Sequence, residues 1–191
     1  RLLHSDHISF RGIYISSQSQ SLIVAMEHWG APVDKNTKQV MFSSKSNDWA
    51  TPQSFFDKLN GIFGPFTLDA AASADNYKVA NHYTEADNAL SQDWSGNRVF
   101  LNPPYGRNLK DWIKKGYEEG QKDNTMVVML IPARTDTKYW HDYVMKADEI
   151  RFVRGRIKFG DETNSAPFPS AVVVFRQSSF NGPRITGLER P

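Results

Sequence analysis

The chain has no cysteine. Disulfide frameworks, thiolate metal sites and cysteine nucleophiles are therefore excluded, and a reducing cytoplasm is compatible with the composition. Long apolar runs are missing too, and with a mean hydropathy of −0.55 the sequence offers no membrane-spanning helix. The stretch Leu22 to Met26 is too short for an ordinary signal peptide and lacks a small-residue cleavage pattern. Neither sign of charge dominates: a net charge of +2 and a pI near 8.8 permit a nucleic-acid partner without demanding one. The five histidines, among them His28, His82 and His141, show no ligand-like grouping, and only His4 and His7 are spaced to share a helix face. No metal centre is expected, and there is no internal repeat.

What remains is the composition of a folded globule, with 39% hydrophobic and 13% aromatic residues in 191, enough for one domain with a real core. Residues 1–42 read differently from the rest: Ser17-Gln18-Ser19-Gln20-Ser21, a short apolar run, then Gly30, Pro32 and a polar stretch. They are expected to be poorly ordered or non-native, with Met26 or Met41 as the natural start. The folded domain is expected over 43–178, and 179–191 are read as a C-terminal tail.

The domain is organised around Arg98-Val99-Phe100-Leu101-Asn102-Pro103-Pro104-Tyr105-Gly106. Val99, Phe100 and Leu101 form a continuous apolar run, as in a parallel strand buried on both faces, and Pro103 ends it because it has no N–H to donate. Asn102 to Tyr105 thus leave a strand's carboxyl end, the edge at which open α/β sheets bind ligands. The tetrapeptide suits a planar amino group on an aromatic ring. The Asn102 amide oxygen and the Pro103 carbonyl can both face one exocyclic NH2, Pro104 shapes the turn and Tyr105 stacks on the ring. Accepting both N–H bonds localises the nitrogen lone pair and steers it toward an electrophile, which is catalysis by positioning and electrostatics. A given four-residue string arises by chance at roughly one position in 100,000, so a mere Pro-rich turn is the weaker reading.

Other segments fall around this one. Phe55, Phe56, Leu59, Ile62 and Phe63 have helical spacing, with Thr51 as N-cap, Pro52 as first helical residue, and Gly61 and Gly64 closing the helix. Trp49 and Thr51 either pack beside that cap or border a ligand pocket. Phe66 to Ala72 read as a strand whose carboxyl end carries Asp69 and the small residues Ala70 and Ala71, which let a ligand approach the backbone. The stretch from Asp69 to Asn102 barely accommodates one βαβ crossover, so its elements must be trimmed. Leu109, Trp112, Ile113 and Tyr117 predict an amphipathic helix ending near Gly120, and Met126 to Ile131 another central strand. Pro132-Ala133-Arg134-Thr135-Asp136 leaves that strand, with Asp136 as N-cap of the next helix. Glu149 to Val153 and Ala171 to Phe175 predict two further strands. Arg151, Arg154, Arg156 and Lys158 are either a charge-blunted edge or a phosphate-contacting surface; the aromatics and prolines that follow favour the second.

Together, Trp49-Ala50-Thr51-Pro52, Leu68-Asp69-Ala70-Ala71, Asp87 through Trp94, Asn102-Pro103-Pro104-Tyr105, Pro132 through Asp136 and Ala166-Pro167-Phe168-Pro169 resemble the phage-type DNA N6-adenine methyltransferase (Dam) family over roughly Ser44 to Arg176. The resemblance implies an α/β, Rossmann-like S-adenosylmethionine-dependent methyltransferase fold, its sheet mostly parallel with an antiparallel C-terminal strand. It implies a phage or prophage enzyme acting as a monomer on double-stranded DNA in the bacterial host cytoplasm, with no metal because the sulfonium is already the electrophile. Asn102, Pro103, Pro104 and Tyr105 match the target-amine motif. Trp49, Thr51, Pro52, Asp69, Ala70 and Ala71 are similar to cofactor-binding segments, and Asp93 or Asp87 would line the cofactor. Asp69 to Ala72 stand where many methyltransferases have a glycine-rich turn, and the usual ribose-binding acid has no clear counterpart. Arg107, Arg134, Arg154, Arg156, Lys158 and Phe168 would face DNA. GATC is the family-level expectation for the site, with relaxed specificity as the alternative in so short a chain. Asn-Pro-Pro-Tyr also serves enzymes that methylate RNA adenine, cytosine N4 or protein glutamine, and a DNA-binding module without catalysis is the rival from another class.

Overall fold

Seven consecutive buried residues, Met126–Pro132, form the central strand, because only a strand covered on both faces tolerates so unbroken an apolar run. The computed structural model describes residues 49–160, 165–178 and 182–191. The N-terminal segment 1–42 and the two candidate start methionines lie outside the described residues. Those described belong to one unit, Lys45–Pro191.

The elements are α1 (Gln53–Phe63), β1 (Leu68–Asp69), β2 (Arg98–Leu101), α2 (Leu109–Gly120), β3 (Met126–Pro132), α3 (Lys138–Asp142), β4 (Glu149–Val153), β5 (Ser170–Phe175) and β6 (Arg184–Leu188). One sheet has the order β1-β2-β3-β5-β4-β6. The pairs β1/β2, β2/β3 and β4/β6 are parallel, whereas β5 runs antiparallel to both β3 and β4. Five strands therefore point one way, and their carboxyl ends share an edge. The result is a mixed α/β, mostly parallel sheet consistent with a Rossmann-like fold.

Helices cover both faces. On β4, the Arg151 guanidinium lies over the Phe63 ring of α1, whereas its neighbour Phe152 stacks on Trp140 of α3. Successive strand residues point to opposite faces, so α1 and α3 lie on opposite sides. Helix α2 shares the α3 side, where Tyr117 meets Tyr143. A Cβ on Gly120 would stand 2.6–2.8 Å from Phe175 main-chain and Cβ atoms, so only glycine lets α2 sit this close to β5. On the α1 side, Phe56, Phe66 and Phe100 form an aromatic cluster.

Several expectations need correction. Thr51 is not the N-cap of α1: Pro52 is, with ψ of 141°, and its carbonyl accepts the Phe55 and Phe56 N–H groups while the Thr51 hydroxyl is engaged elsewhere. Gly61 lies inside α1, and Gly64 alone closes it. A Cβ there would collide with Asn60 Oδ1, which accepts the Phe66 N–H at 2.9 Å. Thr137 rather than Asp136 caps α3, its hydroxyl donating to Arg134 O at 2.7 Å. The strand foreseen over Phe66 to Ala72 shortens to Leu68–Asp69, because residues 81–83 fold back beside it: the Asp69 N–H donates to Asn81 O and the Tyr83 N–H to Asp69 O. The sheet does not end at Phe175. Within the segment read as a tail, Arg184–Leu188 form β6, secured by Arg184 pairing with Asp148 and Glu149.

Candidate active site

Because β1, β2 and β3 are parallel, Asp69, Asn102 and Arg134 all leave the same sheet edge. Next to Asn102 the edge opens into a cleft of about 1010 Å³, the size of small-molecule sites, ~300–1,000 Å³. It is lined by the small-residue turn Ala70 to Ala74, by residues of the segment from Tyr83 to Leu90, which is hydrogen-bonded to that turn through Ala72 N–H and Tyr83 O, and by Trp49, Asn102, Pro103, Pro104 and Trp112.

The Asn102 carboxamide is fixed in orientation. Its Nδ2 donates to Trp49 O and, at 2.9 Å, to Thr51 Oγ1. A main-chain carbonyl only accepts, so the amide nitrogen must face Trp49 and the oxygen must face away. The oxygen receives the Tyr105 hydroxyl at 2.8 Å, and that hydroxyl also lies 3.0 Å from Leu130 O, so its single proton is divided between two acceptors. Both amide protons are thus committed, while one lone pair of Oδ1 remains. The Pro103 carbonyl accepts no hydrogen bond among the described residues. Two acceptors at one turn, backed by rigid prolines, suit a donor NH2.

Tyr105 is only 9% exposed. Its ring stacks on Trp49 at 6.4 Å and meets Phe159 and Phe168 edge-on, and burial pushes its phenol well above the ordinary range. In this arrangement Tyr105 orients Asn102; its ring would reach a bound base only if Trp49 or Phe168 moved aside. Trp49 and Phe168, whose ring centroids are 5.1 Å apart, meet edge-on in the same cluster.

Asp69 does not line the cleft but folds its wall. Its carboxylate accepts the N–H groups of Ala71 (3.3 Å) and Lys78 (2.9 Å). Burial raises its pKa, opposed by those bonds and by the charges of His82 and Lys78. Asp87 and Asp93 both lie off the cleft. Asp87 accepts the main-chain N–H and hydroxyl of Thr84, which hold its pKa low, and Asp93 is held low by Lys122 and Ser95. The carboxylate that lines the cleft is Glu85, with Asn88 beside it. Sequence reasoning missed Glu85 and Asn108. Glu85 sits two residues before Asp87, and only the turn geometry decides which acid faces inward. Trp112 was assigned to a core stripe, yet it is half-buried at the cleft.

Of the basic residues, Arg107 and Arg134 are exposed near the turn from Asn102 to Gly106, around a second, smaller groove. Arg154, Arg156 and Lys158 are exposed beyond the carboxyl end of β4, at the same edge, with Arg154 paired to Glu189 at 3.1 Å. The loop carrying them is tied to the segment that precedes α1 by the Gly160 N–H donating to Ala50 O. Among the described residues no cluster of acids and histidines could hold a metal ion.

Residues 37–186 match the family model described as DNA N-6-adenine-methyltransferase (Dam). The chain belongs to this family. A DNA N-6-adenine-methyltransferase of Haemophilus phage HP1 is 33% identical over 153 residues, covering 76% of this chain and 88% of the relative. One from Escherichia phage T1 is 35% identical over 106 residues, covering 55% of this chain but 44% of the relative. The fixed amide at Asn102 thus stands in a Dam-family chain, on its sheet's carboxyl edge.

Proposed function

We propose that the cleft receives S-adenosylmethionine and a flipped adenine side by side, and that Asn102 and Pro103 present the adenine N6 amine for direct methyl transfer. The chain is a phage-type DNA adenine N6-methyltransferase. The observation that carries the site assignment is the fixed carboxamide of a cleft-lining residue, with both donors committed to Trp49 and Thr51 and one lone pair of its oxygen unclaimed beside the Tyr105 hydroxyl.

The cleft fits the methyl donor. Ala70, Ala71 and Ala72 leave the backbone open to close approach, Glu85 offers a carboxylate to hydroxyl or ammonium groups, and Trp49 and Trp112 offer apolar surface. Bound there, S-adenosylmethionine supplies an electrophilic methyl on a sulfonium. Asn102 Oδ1 and the Pro103 carbonyl accept hydrogen bonds from the two amine N–H groups and aim the nitrogen lone pair at the methyl, whose bond to sulfur would break as the N–C bond forms, and one N6 proton then leaves to solvent. Tyr105 and Thr51 keep the amide from rotating. A base inside a duplex must leave the stack to reach Asn102, so the partner is double-stranded DNA with its adenine flipped. In this reading the enzyme acts as a monomer in the bacterial host cytoplasm.

The test is methyl transfer from labelled S-adenosylmethionine to unmethylated DNA, followed by nucleoside analysis. Label in N6-methyladenine is expected. Label appearing only on RNA or protein glutamine would overturn the substrate assignment, and cofactor binding without any transfer would favour the non-catalytic module.

Thr51→Val keeps the side chain's shape but removes one acceptor of the Asn102 amide. A hydrogen bond of about 1 kcal/mol predicts a roughly fivefold loss in kcat with little change in KM for DNA, restored by Thr51→Ser. An unchanged kcat would free Thr51 from this role. Replacing Arg154 and Arg156 together by alanine is expected to weaken DNA binding and to flatten its salt dependence. Unchanged affinity and slope would return both arginines to a solvated edge.

A further inference from the structure

A groove of about 550 Å³ lies between α2 and α3, on the sheet face opposite α1. Its residues Gly106 and Arg107 directly follow Tyr105 in the catalytic loop. Five cations line it, Arg107, Lys110, Lys114, Arg134 and Lys138, against two carboxylates. One of those, Asp142, is already engaged by Lys138. Arg107, Lys110 and Arg134 form no ion pair among the described residues, and Lys114 has only a long, exposed contact of 3.6 Å to Glu118. Like charges gathered around one groove repel each other and need an anion to neutralise them.

We propose that this groove holds the DNA sugar–phosphate backbone beside the target adenine. The inference rests on the DNA reading above and adds a second place where the duplex is gripped. Three observations point to a polyanion rather than to one small anion. Lys110 and Lys114 are four residues apart, so they stand on one face of α2 and line the groove rather than converge on a point. Arg107 and Arg134 continue that line to the carboxyl edge. The groove also begins where the amine-binding turn ends, so its anion belongs to the molecule that presents the amine. The cations Arg154, Arg156 and Lys158 sit on a loop tied to the segment that precedes α1. Backbone contacts in the groove and on that loop would hold the duplex across the Asn102 edge, leaving the extruded base directed at the cleft.

The experiment measures binding of a short unmethylated duplex by wild type and by Lys110→Ala/Lys114→Ala across a salt series, with S-adenosylmethionine affinity read in parallel. Each lost phosphate contact removes about 0.9 from the slope of log K against log salt. The double variant is expected to have a slope shallower by about 1.8 and an affinity roughly tenfold or more weaker at low salt, with cofactor affinity unchanged. Both lysines are exposed, and Lys110→Gln/Lys114→Gln supplies the same test should the alanine pair precipitate. A wild-type slope and affinity in the double variant, with wild type binding and methylating DNA, would overturn the groove and leave the function standing. A wild type that neither binds nor methylates DNA would remove both.

Discussion

Asn102→Ala is expected to lower methyl transfer to DNA by about 100- to 1,000-fold or more, while S-adenosylmethionine still binds. The magnitude is that of removing one preorganised polar group aimed at the reacting atoms, ~10²–10³ in kcat. The separation of rate from binding follows from the geometry. In the proposed site the cofactor lies against the Ala70 to Ala74 turn and the segment from Tyr83 to Leu90, and neither depends on the Asn102 side chain. The amide's partners are instead Trp49 O, Thr51 Oγ1 and the Tyr105 hydroxyl. Truncation leaves the Tyr105 hydroxyl with Leu130 O but takes the amide donor from Trp49 O and the buried Thr51 hydroxyl, so a stability loss of about 1–3 kcal/mol accompanies the loss of rate. The check is transfer of labelled methyl to duplex DNA, with cofactor affinity and thermal midpoint measured on the same preparation. Near wild-type turnover would contradict the amine clamp. Loss of turnover together with a collapsed midpoint would make Asn102 a structural residue.

The centre of this site was legible in sequence because its signals are local. A strand must stop at Pro103, and the unbroken apolar runs before Asn102 and before Pro132 mark parallel strands whose ends share an edge. The amide's orientation was not legible, because it depends on Trp49 and Thr51, some fifty residues away. The same applies to Tyr105: an aromatic beside two prolines reads as a stacking platform, and only the tertiary contacts with Trp49, Phe159 and Phe168 reveal a buried ring. The acids between β1 and β2 were harder still. Glu85, Asp87 and Asp93 have similar local contexts, and turns with few buried residues leave no periodic pattern from which to read an inward face. The sixth strand escaped notice because four of its five residues are exposed. Its place is set by Arg184 reaching Asp148 and Glu149, contacts without a local signature.

Trp94→Ala is expected to destabilise the fold by about 3–5 kcal/mol, the usual cost of deleting a buried large aromatic side chain, and at ~2–4 °C per kcal/mol to lower the thermal midpoint by roughly 6–20 °C. It should also weaken S-adenosylmethionine binding, although Trp94 is fully buried and does not line the cleft. The link is the crossover between β1 and β2. Its described residues contain only two short 3-10 turns, Glu85–Asp87 and Ala89–Ser91, of which Ala89 alone is buried. These turns form one wall of the cleft, yet they have almost no apolar surface of their own to hold them. Trp94 supplies the anchor. Its indole N–H donates to Ala89 O at 3.0 Å, and its main-chain N–H donates to Glu119 Oε2 at 2.9 Å. Burial alone would raise the Glu119 pKa, but bonds from Lys115, Lys122 and the Trp94 N–H outweigh it and keep the carboxylate ionised. Lys115 also donates to Gln92 O at 2.6 Å, so the crossover is knotted to α2 around one ring. Trp94→Phe separates the contributions: it restores much of the packing but not the bond to Ala89, so the midpoint should recover further than the cofactor affinity. A midpoint within about 3 °C of wild type in Trp94→Ala, less than 1–2 kcal/mol on that scale, would mean that the cleft wall is held without it.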